Sequence, residues 1–340
     1  MDNITHTLVG LALARAGLNR AGKGATTVLL LSANAPDADI LAATQGALRY
    51  LEVHRGYTHS LLLLPIMAAL CVLVTGVIFR KGLRWLPLWS VACIGVASHL
   101  LLDWTNFYGI RLLLPFSSRW FYGDLSSLTD LVVLAVLVLA AVWPWFSGLV
   151  SSEIGDRPAR GRGFAIVALI FYVVFEFGRA LMQDRVTTQL ESRLYDNAAP
   201  VNVAAIPHAL NPFAWDGIVE TANAYLSVNV NAFSNFEMDR AVVLRKIPVS
   251  PAIRRALSTE PFRYFVYFAR FPAWAEQPVL LPNIHATRVD LTDLRFGAPG
   301  FGGFHCVALV DASGHIHSST FTYTSGLTLG NADISASDQN

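Results

Sequence analysis

Three stretches of the chain carry no charged side chain: residues 61–79, 85–102 and 131–152. Each reaches the roughly 18 apolar residues that a helix needs to cross hydrocarbon. A fourth stretch, about 164–182, is interrupted by Glu176 and Arg179, yet its aromatic and aliphatic content also predicts a membrane helix. Ahead of these lie two shorter apolar segments, ending near residue 36, that read as a helical hairpin. From about residue 183 the pattern changes to charged residues, prolines and short alternating runs. The expected fold is an α-helical membrane bundle, with about four long spans plus the N-terminal hairpin. A soluble C-terminal domain, α+β or mostly β, follows, so the expected division is 1–182 and 183–340.

The tail is read from period-two alternation. Residues 214–236 resemble a β-hairpin, and RYFVYFARFP, TRVDLTDLRF and FHCVALVDASGHIHSST read as further strands. His315 and His317 fall on one strand face, where a solvated strand end is the expected role because no acidic or thiol partner stands beside them in sequence.

An apolar N-terminus invites comparison with a signal peptide, but the charge order is reversed. NITHTLVGLALA comes first, and Arg15, Arg20 and Lys23 follow it. Overall, 54% of the 340 residues are hydrophobic and only 14% charged, against about a quarter charged in an average soluble chain. The three cysteines are scattered and suggest no disulfide framework. A formal net charge of +1 gives no reason to expect a nucleic-acid partner.

Basic residues set an expected orientation. Arg15, Arg20, Lys23, Arg80, Lys81, Arg84, Arg157, Arg160 and Arg162 fall in one set of loops, whereas the alternate loops hold Arg49, Arg55, Arg111 and Arg119. The richer side is expected to be cytoplasmic, with the C-terminal domain outside. On that map all four histidines before residue 182, His6, His54, His59 and His99, lie at the outer end. So do Asp37, Asp39, Asp103, Asp124 and Asp130. Ionisable groups at membrane level are costly unless paired or functional, so their gathering at one end points to a site.

The donor types suggest its chemistry. His99 and Asp103 stand at i and i+4, which places both on one helix face. Asp37 and Asp39 follow a proline in PDAD, and His54 and His59 sit in HRGYTHS. Imidazoles and carboxylates without a thiolate suit zinc or a harder divalent ion such as manganese, and the number of carboxylates favours two ions. The candidate ligands are therefore His6, Asp37, Asp39, His54, His59, His99, Asp103, Asp124 and Asp130. Asp124 and Asp130 read equally well as caps of a helix starting near residue 129. Arg55 reads as a phosphate-holding residue, or else as an interfacial anchor or an ion-pair partner of Glu52. Asp37 or Asp39 reads as a general base for water.

The series HT, PDxD, HRxxTHS, SHxxxD and YGDxxxxxD, with NPFAW at 211–215 and DLRFG at 293–297, resembles the membrane-bound metal-dependent hydrolases. These bacterial inner-membrane proteins are also described as LexA-binding hydrolases. Their motif order is in turn similar to that of zinc-dependent phospholipase C and the P1-type nucleases. That remote similarity implies one ion held by Asp37 or Asp39, His59, His99 and Asp103, and another by His6 with a bridging Asp103. This chain lacks the further HxxxE pair of the phospholipases, so two ions are expected rather than three.

The resulting expectation is a multi-pass inner-membrane hydrolase that cleaves a phosphoester, with a lipid or envelope precursor as substrate. The rival is a nonenzymatic membrane protein with a structural metal and a tail domain that binds a protein partner.

Overall fold

The computed structural model describes residues 1–80, 82–154, 161–234, 241–281, 284–299 and 302–325. Lys81, Arg157 and Arg160, among the basic residues that set the expected orientation, lie outside the described residues, as do the last two residues of 214–236. Two compact units emerge: one of Met1–Thr44, Val53–Ala222 and Leu226–Val242, the other of Gln45–Glu52, Asn223–Tyr225 and Val243–Asn340.

The first unit begins with the expected hairpin, α1 (Asn3–Ala16) and α2 (Ala25–Ser32). Asp2 caps α1 by accepting from the backbone N–H groups of Ile4 and Thr5, and Gly17, at φ 143°, ends it. Irregular 3-10 turns over Ala35–Gln45 lead to α3 (Ala47–Val53), α4 (Leu64–Phe79), α5 (Trp85–Thr105), α6 (Leu131–Ile154) and α7 (Arg162–Glu191).

Four long spans were expected, and two or three candidates are found among the described residues. Among the described residues, α5 and α7 are long and apolar enough to cross a membrane. A third crossing exists only if Ala47–His59 and Leu64–Phe79 form one span, and these are bent by 89° at the break between them. The charge-free run 61–79 is therefore not one straight helix. The Leu61 N–H donates to the Leu112 carbonyl, so Leu61 is tied to a loop rather than to a helical turn. Helix α6 runs for 24 residues with Pro144 inside it. Helix α7 is longer than expected, at 30 residues.

Close packing of α5 on α2 depends on Gly95. A Cβ there would meet Ser32 Oγ at 2.0 Å and the Leu29 carbonyl oxygen at 3.4 Å. The core between these helices is completed by Ala25, Val28, Leu88, Ala92 and Val96, all buried.

The C-terminal region is built of β-sheet. The first sheet runs β1-β2-β3-β4 (Asn202–Pro207, Ala214–Glu220, Ala224–Asn231, Val242–Arg245). Trp215 and Val219 of β2 pack with Val186 and Leu190 of α7 in one core. The second sheet is an antiparallel meander, β5-β6-β7-β8 (Pro272–Leu281, Ile284–Asp293, Gly302–Asp311, Ile316–Ser325).

One expected strand is corrected. RYFVYFARFP lies largely in a helix, α9 (Glu260–Phe268), which follows α8 (Pro251–Ala256). Pro261 occupies its first turn, and Phe262, Phe265 and Phe268 recur every three residues on a buried face. That spacing is helical, and burial of three phenylalanines outweighs the strand propensity of aromatic residues.

Candidate metal centre

Four chain segments converge on one point. Helix α1 supplies His6, the 3-10 turns supply Asp37 and Asp39, the break before α4 supplies His54, Arg55 and His59, and the last turns of α5 supply His99 and Asp103. Asp37, His59, His99 and Asp103 each offer one donor atom, and these atoms lie within 4.8 Å of one another.

Their spacing is more regular than that limit requires. His59 Nε2 lies 3.2 Å from His99 Nε2, 3.4 Å from Asp37 Oδ1 and 3.3 Å from Asp103 Oδ2. His99 Nε2 lies 3.5 Å from Asp37 Oδ1 and 3.4 Å from Asp103 Oδ2. Four donors arranged tetrahedrally at about 2.0–2.1 Å from a zinc-sized cation stand about 3.3–3.4 Å apart. Five edges of the arrangement match that figure. Asp103 Oδ2 has no hydrogen-bond partner although it is buried, and an orphaned carboxylate oxygen between two imidazoles fits a bound cation. The residues present therefore suit a divalent metal.

Outer contacts prepare the two histidines. His99 Nδ1 lies 2.8 Å from the Ala33 carbonyl oxygen, which only accepts, so this nitrogen carries the proton and Nε2 keeps its lone pair. Close packing at Gly95, one turn earlier on α5, brings the end of α2 near enough for this contact. His59 Nδ1 lies 2.9 Å from Thr58 Oγ1, whose hydroxyl donates to Asp39 Oδ2 at 3.1 Å. Such second contacts fix the ring orientation and basicity of metal-binding histidines.

A second group shares one member with the first. Asp37, Asp39 and His54 also bring donor atoms within 4.8 Å, with His54 Nδ1 3.0 Å from Asp39 Oδ1. Burial pushes the Asp37 carboxyl up, but hydrogen bonds from His59 and His99 outweigh it and hold the group well below the usual carboxylate range.

The other sequence candidates take different places. The His6 ring stacks on His99 with centroids 3.8 Å apart, and its Nε2 lies 3.4 Å from Asp103 Oδ1. Both His6 ring nitrogens lack hydrogen-bond partners among the described residues. Arg55 does not pair with Glu52, which binds Arg49 at 2.9 Å. Its buried guanidinium donates to Asp103 Oδ1 at 3.0 Å, to Asn106 Oδ1 at 2.8 Å and to the Gly109 carbonyl at 3.3 Å, and it lies over the Tyr108 ring. The Met1 amine also contacts Asp103 Oδ1. Arg55 has a left-handed backbone, φ 54°, and its N–H donates to Asp39 Oδ2. A non-glycine residue held there stores strain of about 1–3 kcal/mol, a common mark of functional sites.

Asp124 and Asp130 join neither group. Asp130 caps α6, accepting at Oδ1 from the backbone N–H groups of Val132 and Val133. Asp124 is buried at φ 54° in the loop that precedes α6.

In the second sheet, the sequence reading of His315 and His317 missed an acidic neighbour. His317 Nε2 lies 2.9 Å from Asp311 Oδ2, across the turn. Thr58, Asn106 and the Ala33 carbonyl were missed as well. Thr58 had a signal, because it lies inside the HRxxTHS run beside a candidate ligand. The carbonyl had none, since any residue supplies one.

The sequence matches the YdjM inner membrane protein family over residues 1–181, which include every residue of this centre. The chain belongs to that family. Another similar protein, the inner membrane protein YbcI of Escherichia coli, is 32% identical over 164 residues, covering 43% of this chain and 91% of YbcI. The uncharacterized protein YfhP of Bacillus subtilis is 26% identical over 235 residues, covering 66% of this chain and 67% of YfhP. No solved structure matches. Membership in a family of inner membrane proteins accords with the apolar helices around the centre.

Proposed function

We propose that this chain is a metal-dependent hydrolase of phosphoesters. The observation that carries the reading is the near-tetrahedral spacing of Asp37 Oδ1, His59 Nε2, His99 Nε2 and Asp103 Oδ2. Zinc suits that donor set, and manganese is the alternative. A second ion is assigned to Asp37, Asp39 and His54, with Asp37 shared. This replaces the pairing of His6 with a bridging Asp103, because Arg55 already supplies positive charge at Asp103 Oδ1.

A divalent cation here would lower the pKa of bound water and offset charge on phosphoryl oxygens. The chain's own groups take distinct parts. Asp37 is the accessible carboxylate, with its side chain 11% exposed against 1% for Asp39, and it would join the two ions as their common ligand. Asp39, besides offering a ligand atom to the second ion, holds Thr58 and the Arg55 backbone in place through Oδ2. Arg55 fixes the Asp103 carboxylate.

A structural metal without catalysis is the second reading, favoured by the complete burial of His59, His99 and Asp103. Metal analysis of the purified full-length protein beside Asp103→Ala and the isosteric Asp103→Asn separates the two, followed by a phosphodiester and phospholipid screen. The hydrolase reading expects bound metal and hydrolysis in the parent and loss of both in the variants. Unchanged metal content in the variants sinks the centre. Metal in the parent without hydrolysis of any phosphoester leaves the structural reading in its place.

A further inference from the structure

The elements that build the centre are inside out. Asp39, His59, His99, Asp103 and His6 are buried, whereas large apolar neighbours on the same elements face outward. Ile4 on α1 is 63% exposed, Leu41 after PDAD 70%, Leu61 after THS 53%, Leu101 51% and Trp104 37%. A protein wetted at this level would place leucine inward and aspartate outward. Isolated exposed leucines need no explanation, but the same inversion on four separate segments does.

Helix α5 says what covers this face. Its 21 residues span about 31 Å, close to the roughly 30 Å of bilayer hydrocarbon. Leu101 and Trp104 continue the exposed apolar surface of this candidate span to its end. Thr105 is the last residue of the helix, and His99 stands six residues before it, about 9 Å down the axis. With α5 crossing the bilayer, the centre lies below the hydrocarbon boundary rather than in the water above it. The break between Ala47–His59 and Leu64–Phe79 fits that depth. Irregular backbone is tolerated inside a membrane only where it is packed in protein or lines a site, and the non-α segment between α3 and α4, residues 54–63, carries His54, Arg55 and His59.

We propose that the centre opens to the bilayer and takes its ligand from it: a membrane amphiphile whose anionic phosphoester head reaches the metal while its chains stay in the hydrocarbon beside Leu41 and Leu61. This rests on the metal-centre reading above and names its substrate class. On this reading a phosphoester held in the membrane is a better ligand than one free in water.

The test uses full-length protein in phosphatidylcholine vesicles. A fluorophore is attached at Leu41→Cys or Leu61→Cys, in a background whose Cys71, Cys93 and Cys306 are replaced by serine or alanine. Nitroxide carried on lipid chains is expected to quench both positions more strongly than aqueous iodide does. Stronger quenching by iodide overturns the proposal. In parallel, the d–d absorption of the Co2+-loaded protein is followed. It is expected to shift on mixing with vesicles that contain phosphatidic acid, and to stay fixed with glycerol phosphate at the same concentration. An equal or greater response to glycerol phosphate overturns it. Neither readout requires turnover, so a centre that binds lipid phosphate without cleaving it refutes hydrolysis while leaving the bilayer route intact.

Discussion

Replacing Thr58 by valine removes one hydroxyl and keeps the side-chain shape, so it tests whether the histidines are prepared for a cation or merely packed. In the native arrangement the hydroxyl lies 2.9 Å from His59 Nδ1 and donates to Asp39 Oδ2 at 3.1 Å. Thr58 offers no ligand atom itself. Without it, His59 Nδ1 keeps only the Asp39 oxygen at 3.4 Å, too long for a good hydrogen bond, and the ring is free to turn its Nε2 away. Loss of an outer contact of this kind weakens metal binding by about ten- to a hundredfold, or about 1.4–2.7 kcal/mol. The assay is competition for Zn2+ between detergent-solubilised protein and a chromophoric chelator. Ser98→Ala is the control, because that hydroxyl bonds the Gly95 carbonyl and not His99, so its affinity stays at the parent value. Unchanged zinc affinity in Thr58→Val, with only a lower melting temperature of the metal-free protein, refutes the reasoning and leaves His59 as a packed core histidine.

Gly95→Ala forces a methyl group to within 2.0 Å of Ser32 Oγ, so α2 moves off α5. The overpacking costs about 1–3 kcal/mol, and it lengthens the His99 to Ala33 contact as well, so thermal denaturation and zinc titration both register the change. Asp130→Ala removes the cap of α6 and costs about 1 kcal/mol, read from the denaturation midpoint, with zinc stoichiometry unchanged. A loss of zinc in that variant makes Asp130 a ligand after all.

Much of the centre was legible because its residues are sparse polar types in an apolar text. His99 and Asp103 share a helix face by spacing alone, and PDAD and THS stand out against their surroundings. The separation of roles was not legible. Asp130 and Asp103 are the same residue type at ends of apolar runs, and only the backbone N–H groups of Val132 and Val133 distinguish a cap from a ligand. The same holds for Arg55, whose partner is set by a left-handed turn rather than by its neighbours in sequence.

The break ahead of α4 was hidden in the sequence for a related reason. The run 61–79 is uniformly apolar, so hydropathy carries no trace of the bend, which arises from the turns at Tyr57–His59 and the bond between Leu61 and Leu112. In the tail, period two was read into RYFVYFARFP because aromatic residues favour strands. Thr259 and Pro261, both ordinary helix-start residues, were the signal to the contrary.

The bend has a further consequence, in the statistics of the chain. Because Asp37, His59, His99 and Asp103 come from segments that no continuous helix joins, a cation held by all of them closes a loop from residue 37 to residue 103, a separation of 66 (103 − 37). A cross-link over that length removes about 4 kcal/mol of freedom from the unfolded chain on the loop-entropy estimate. In the metal-bound form proposed here the ion is thus a clasp as well as a reagent. Without the ion, the turns that carry Asp37 and His59 would lose their cross-link to α5.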